Sequence, residues 1–562
     1  MGENSIKKFL SWLLAYTAGI TTLIVLPTTA IDPINVPKLA IITVGGFMAL
    51  GALIGERKML SQPKYRLVQI FGGLFILDLT LVLLFSGSNF NQEFYGTFGR
   101  STGFIAYFSL GTLFLASVVA ASTSSLSRIT GALLFTGGAS ILYGLIQKIG
   151  ADPFNWVGSY SQVFGFLGNP NFESSFVGFN GILAFALIVG KKKVWLRILL
   201  AVDVAASAVV IEFTHSQQGF LVLAGGMAIV SLMWIRSSKF KIFRIPALIG
   251  SIVAAGFVAM GSLNSGPLAS LLYKISVTYR GDYWRAGWKM TIEHPLFGIG
   301  LDSYGDWYRR SRTIEATLRR GPDVVSNAAH NVLLDLSSNG GFPLLCIYLF
   351  MLALVIISTI KVLRRSSIFD PTFTGLFSVW VAYQAQSIIS LNQLGLAVWG
   401  WIISGLIIGY EINSRPTIDA SVVSPGNKKG RTVSVSSQQK VSTTAIMSIC
   451  AGAILGFSVG LPPLIASSKF LSALNSKDAK LVENAAYVSP LDAYYMYRVA
   501  DILVNNKLIA EATTVSNDSV THFADEYPIW ALRSKLVGLP QAEIDRALRE
   551  MKRLDPHNPD LK

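Results

Sequence analysis

Charge is scarce in this chain. Lys, Arg, Asp and Glu make up 14% of its 562 residues, where a soluble protein carries roughly 25%. The shortage is concentrated in apolar runs each about twenty residues long, the length that crosses ~30 Å of hydrocarbon. Cysteine is nearly absent too. Cys346 and Cys450 both lie inside apolar stretches, which excludes a disulfide framework or a CxxC metal site and reads each thiol as a small buried hydrophobe. Neither a Gly-rich phosphate loop nor a His, Cys and carboxylate cluster with metal spacing occurs, which excludes a nucleotide-driven machine and a metal centre, so no cofactor is expected.

What is present is hydrophobic: 51% of residues, with a mean hydropathy of +0.50. Apolar runs fall at about 9–27, 38–55, 67–86, 102–121, 129–149, 172–190, 194–213, 218–235, 245–263, 331–360, 372–391, 394–411 and 442–466. The first follows Lys7 and Lys8 but has no A-x-A-like cleavage site after it, so it reads as a retained helix. The net charge of +15 is not a nucleic-acid signature, because the basic residues sit in short clusters between runs. With the N-terminus in the cytoplasm, alternate connections carry Arg57, Lys58, Lys64 and Arg66; Arg128; Lys191, Lys192, Lys193 and Arg197; Arg236, Lys239, Lys241 and Arg244; Lys361, Arg364 and Arg365; and Arg415, Lys428, Lys429 and Arg431. The short outer loops offer little beyond Lys38 and Arg100. This is the positive-inside asymmetry. The expected fold is an all-α polytopic membrane protein of about thirteen spans.

Three outer segments depart from short turns. Residues 150–171 are rich in Gly, Asn, Pro and aromatics, and 264–330 form a long loop with nine Lys and Arg residues, Arg280, Arg285, Arg319 and Arg320 among them. Long loops translocate largely regardless of charge. Residues 467–562 turn soluble in composition. Small and apolar residues recur there at helical spacing, and the ending "LDPHNPDL" resembles the turn closing a tetratricopeptide repeat. The division expected is a transmembrane domain over 1–466 and a TPR-like or plain helical domain over 467–562. The stretch 414–440, rich in Ser, Gly and Lys, reads as a flexible inner linker.

The segment "YRGDYWRAGWKMTIEHPLFGIG" (279–300) places Arg280, Trp284 and Trp288 on one helical face, with Arg285 and Lys289 on a second basic row. One reading is a helix lying in the membrane interface. The other is a clamp whose guanidinium forks match a diphosphate better than a lysine would. His330 and Asn331 open the next long run. The positive end of a helix disfavours the imidazolium, and a neutral imidazole is a usable general base at pH 7, although a polar cap is the simpler role. Glu212, Thr214, His215, Ser216, Gln217 and Gln218 end the seventh run, as ordinary polar residues or as a site. Asp78 and Asp203 lie within apolar runs and need a partner or cavity there. No D-x-D pair stands in an outer loop, as metal-dependent nucleotide-sugar transfer often requires, so the substrate must bring its own energy.

In order, "GFLGNPNFESSFVGFNG", "THSQQGFLVLA", "YRGDYWRAGWKMTIEHPLFGIGLDSY" and "AHNVLLDLSSNGGFPLL" resemble the O-antigen ligase and polymerase superfamily, which includes bacterial protein O-oligosaccharyltransferases, over roughly residues 90–410. The resemblance implies a metal-independent glycosyltransferase of the bacterial cytoplasmic membrane. It would pass a glycan from undecaprenyl diphosphate to an acceptor hydroxyl on a glycan, lipid or protein at the outer face. By motif position Arg280 is the loop arginine and His330 the activating histidine. Arg285, Ser216, Asn331, Asn169 and Asn171 are expected to bind substrate. Relatives of the ligase type usually carry Ser-Arg where this chain has Ser216-Gln217, so one phosphate contact is missing or comes from elsewhere, Arg100 in "FGRSTGF" being a substitute. Two other functions fit: a lipid-linked glycan transporter, disfavoured because no clear repeat links the halves, and a scaffold that recruits a protein partner through the C-terminal repeats.

Overall fold

The structure is a computed structural model that describes residues 5–154, 156, 162–190, 193–415 and 441–561. The expected linker falls almost wholly within 416–440, outside the described residues. Among these residues the chain is all-helical, and each of the thirteen apolar runs holds a helix. Ten are long and apolar enough to cross a membrane. The other three are marginal. Phe104–Ala120 and Pro371–Ser387 have 17 residues each, about 25 Å of helix, and Ser5–Leu23 contains Lys7, Lys8 and several hydroxyl side chains.

Leu394–Asn413 forms the centre, with Trp399 and Trp401 wholly buried. Phe104–Ala120, Val332–Arg365, Ser5–Leu23 and Pro371–Ser387 pack around it. At the periphery, Arg244–Ser262 buries only Gly261 and exposes Ile245, Leu248, Ile252 and Phe257. An exposed apolar face of this length exceeds what water-soluble monomers carry and calls for lipid. The same logic corrects the reading of the cysteines: Cys346 and Cys450 are both exposed, because an apolar residue on a spanning helix need not face the protein.

The last long helix, Thr443–Ser476, lies antiparallel along Asn35–Gly55. Gly452, Gly456 and Gly460, spaced four apart, let the backbones approach. A Cβ at Gly452 would come within 2.2 Å of the Phe47 carbonyl oxygen, and one at Gly51 within 2.2 Å of that of Ser448. Small residues at this spacing are how helices pack closely in lipid. Lys38, expected in an outer loop, is instead fully buried in Asn35–Gly55. Its ammonium donates to the carbonyls of Thr21, Thr22 and Ile24 at 3.0, 2.7 and 3.0 Å, satisfying acceptors orphaned at the end of Ser5–Leu23.

Thr443–Ser476 runs without a break past residue 466 into the C-terminal helices Ala479–Ala485, Ala493–Asn505, Ile509–His522, Tyr527–Arg533 and Gln541–Leu554. These helices have their own core, around Met496, Val499, Val515 and Trp530. They pack on the end of the bundle that carries the 264–330 loop: the Phe98 ring stacks on Tyr494 with centroids 3.9 Å apart, and Arg309 and Arg312 reach Asp555.

Candidate functional site

The site rests on a buried ion cluster. Arg100 forms an ion pair with Asp302, Nε to Oδ1 2.9 Å, stands 3.9 Å from Asp335, and donates to the Asn327 carbonyl at 2.6 Å. Burial alone would pull its protonated form down, but the Asp302 and Asp335 carboxylates outweigh that and hold it up. Asp302 also accepts from the backbone N–H groups of Thr97 and Thr102 at 2.9 and 3.1 Å. Three separate stretches of chain are thereby pinned beneath one turn.

That turn is Ala329–Asp335. Asp335 accepts from the Ala329 N–H at 2.7 Å, and Asn331 caps Val332–Arg365 by accepting from Leu333 and Leu334 at 3.0 and 3.2 Å. An Asx cap of this kind satisfies N–H groups that a helix start leaves orphaned. Between these anchors His330 takes a left-handed conformation, φ +52°, which few residues other than Gly, Asn, Asp and His adopt. Its imidazole lies beside the Tyr283 ring, centroids 5.4 Å apart. Burial first, then the cations Arg280, Arg100 and Arg320, lowers the histidine to about 4. The ring is therefore neutral at physiological pH.

The helix Ile275–Glu293 supplies the cationic wall. Asp282, Tyr283, Ala286, Gly287 and Met290 face inward, and Tyr304, fully buried, donates to the Tyr283 carbonyl at 2.7 Å. Arg280 sits half-buried at the edge of this face. Among the described residues it makes no ion pair, so its guanidinium is uncommitted. Arg285 projects the other way, with 62% of its side chain exposed, 3.9 Å from Asp282. Arg319 and Arg320 close the wall from the short helix Ile314–Arg320. Arg319 pairs with Asp282. Arg320 donates to the Tyr283 hydroxyl and lies 4.3 Å over the Tyr279 ring. Sequence offers Arg320 only as one of the loop cations and Tyr283 only as part of the aromatic content of an interfacial helix; the trace of their pairing is Tyr279 and Tyr283 one turn apart, two ring faces on which a guanidinium can settle.

A backbone junction holds this wall to the membrane helix. The 331–360 run, expected as one span, is broken: Gly341 has φ +72° inside Val332–Arg365. At the break Ile299 donates to Ser338 at 2.9 Å, Gly300 to Asn339 at 3.1 Å, and Phe342 to Pro295 at 2.8 Å. A Cβ at Gly298 would lie 2.3 Å from the Asn339 carbonyl carbon, and one at Gly341 2.6 Å from the Pro295 carbonyl oxygen. Only glycine permits both the conformation and the approach.

The remaining expected residues group elsewhere. Ser216 donates to the Asn171 side chain at 2.7 Å, joining the starts of Gln217–Ser237 and Pro170–Gly190. Asn169 accepts from the Asn171 N–H at 2.9 Å. Gln217 donates to the Leu271 carbonyl at 2.8 Å, just before the Arg280 helix. Arg100 is spent on carboxylates, and Asn331 on its cap. Within the bundle, Asp203 accepts from Asn180 at 3.0 Å, the partner an intramembrane carboxyl needs. Among the described residues no three His, Cys, Asp or Glu side chains group as a metal site.

The arrangement can take a proton at a neutral imidazole while one uncommitted guanidinium, and a second held on tyrosine rings, face an anion. A search of curated proteins finds no match to the chain. Residues 204–349 match the family described as O-Antigen ligase, a segment containing Ser216, Arg280 and His330, and this match supports placing the chain in the O-antigen ligase and polymerase superfamily.

Proposed function

We propose that the protein transfers a glycan from undecaprenyl diphosphate to an acceptor hydroxyl at the outer face of a bacterial cytoplasmic membrane. The observation that carries the reading is the neutral His330 ring beside Tyr283, with Arg280 and Arg320 as its cationic neighbours. His330 accepts the proton of the attacking hydroxyl as the new glycosidic bond forms. The bond to the diphosphate breaks, and Arg280 stabilises the charge that collects on the leaving group. Preorganised cations aimed at developing charge are commonly the largest contribution in such a step, and general-base help adds about 10²–10⁴-fold. The energy comes from the lipid-linked bond, so neither nucleotide nor metal is needed.

Thirteen crossings with a cytoplasmic N-terminus would put Arg280, His330 and the C-terminal helices together outside, as the basic connections suggest. Ligase, polymerase and protein glycosylation share this chemistry and differ in the acceptor. The test is transfer by purified protein given lipid-linked glycan. His330→Ala and Arg280→Ala should lose product while inserting normally; full transfer by His330→Ala would refute the mechanism. In a deletion strain, shortened surface chains would indicate a polymerase, and intact chains left on the carrier a ligase.

A further inference from the structure

A cavity of about 370 Å³ lies where the C-terminal helices meet the outer loops, within the ~300–1,000 Å³ that small-ligand sites occupy. Three parts of the chain supply most of its wall, residues 91–101, the loop from Gly305 to Asn327, and the C-terminal segment 490–528, with Val36, Pro463 and Ala466 from the two packed long helices completing it. It is distinct from the Arg280 wall, but Asn327 is three residues before His330, so the two lie within about 11 Å along the chain.

Its lining has two chemistries. Tyr95, Phe98, Tyr494, Tyr497 and Tyr527 contribute aromatic rings, although Phe98 and Tyr494 stack on one another and Arg309 lies 4.0 Å over the Tyr527 ring, so each of these three has one face already covered. Asp306, Asp492, Asp525 and Glu526 contribute carboxyl groups. The aromatic faces suit a flat surface of polarised C–H bonds, since a ring face is the negative part of its quadrupole. The carboxyl oxygens suit a rim of hydroxyl donors, for which an ionised carboxylate is an acceptor with several lone pairs. A pyranose ring has just such faces and such a rim. Some of these groups are already committed: Asp306 accepts from Gln92 at 2.7 Å, Asp525 pairs with Arg310 and Arg553, and Asp492 caps its helix by accepting from Tyr494 and Tyr495. Burial, then neighbouring carboxylates, holds Asp306 and Glu526 above the ordinary carboxylate range. The wall offers a diphosphate no uncommitted cation: among the described residues the only cation lining it, Arg309, is bound to Asp555 at 3.0 Å.

We infer that this cavity binds a saccharide unit of the acceptor and delivers its hydroxyl toward His330, the C-terminal helices supplying half of the subsite. Its role as an acceptor site rests on the transfer reading above; the binding itself does not. The test is binding to the full-length protein in detergent, read by saturation-transfer NMR. The probes are defined neutral oligosaccharides, surface polysaccharide isolated from the source cells, inorganic pyrophosphate and an uncharged extended peptide. The saccharides should bind, and Tyr497→Ala and Ala493→Trp, which remove one face and fill the space, should each weaken binding about tenfold. His330→Ala should bind as the unaltered protein does. Absence of saccharide binding, preference for pyrophosphate or peptide, or saccharide binding unchanged in Ala493→Trp would overturn the inference. Normal saccharide binding combined with full transfer by His330→Ala would leave the cavity standing and remove the transfer mechanism instead.

Discussion

Arg312 donates to both carboxylate oxygens of Asp555, at 2.9 and 2.7 Å, across 243 residues of sequence. Arg309 adds a third bond to the same carboxylate at 3.0 Å, and the two arginines also donate to the Pro322 carbonyl at 2.8 and 2.9 Å. The Asp555 side chain is fully buried. Removing one partner of a buried ion pair strands the other and costs roughly 3–5 kcal/mol. Asp555→Ala should therefore detach the C-terminal helices from the 305–327 loop. Limited proteolysis should show cleavage near residues 467–478 in the variant well before it appears in the unaltered protein.

The pH dependence of transfer should reveal the histidine's surroundings. An exposed histidine titrates near 6.5, so a general base of that kind would lose activity below neutrality. His330 is lowered to about 4, by burial and then by Arg280. The acid limb of kcat/KM, which reports the free enzyme, should lie near pH 4–5. Stability follows the same sign: His330 contributes fully above 6.5, and its contribution falls as pH drops toward 4, because the unfolded chain then binds the proton first. Arg280→Ala, which removes transfer, should still raise the titration of the His330 imidazole itself, followed by NMR, toward 6.5 without reaching it, since burial is the larger cause.

Arg280 should not tolerate lysine. A guanidinium offers a planar fork to phosphate oxygens and an ammonium a point charge, and a charge-assisted hydrogen bond contributes about 1.5–3 kcal/mol. Arg280→Lys should retain the fold and lower transfer by roughly ten- to a hundredfold. Arg320→Ala should be milder, because its guanidinium already rests on Tyr279 and Tyr283. Initial rates with lipid-linked glycan, scaled to folded protein, separate the two.

How much of this was legible before the structure depends on the range of the interaction. Arg280 and His330 sit in local motifs whose residue types announce a cation and a base. Arg320 and Tyr283 are 37 residues apart and meet only after the loop folds back, and nothing in either neighbourhood encodes the other. The motif offers Arg100 as a substitute phosphate contact, whereas Asp302 and Asp335, both distant in sequence, claim it. Among the described residues each apolar run holds a helix, but hydropathy does not tell which side faces lipid, which is why it buries Cys346 and Cys450 when both are exposed. It is also blind to φ, and so it read Val332–Arg365 as one rod.

That break yields the last prediction. Gly341 combines φ +72° with carbonyl oxygens of Pro295 and Leu296 2.6 Å from any Cβ. An L-residue in the left-handed region costs about 1–2 kcal/mol from conformation alone, and here the nearest atoms are backbone, which cannot swing aside. Gly341→Ala should push the 295–300 turn of the junction off the helix and carry the Arg280 wall away from His330. Thermal unfolding in detergent should shift down by several degrees, and transfer should fall further than stability does. A nearby control, Gly281→Ala, has open space around its Cβ and lies on the Arg280 helix itself. It should leave both unchanged, which ties the Gly341 effect to the junction rather than to glycine loss in general.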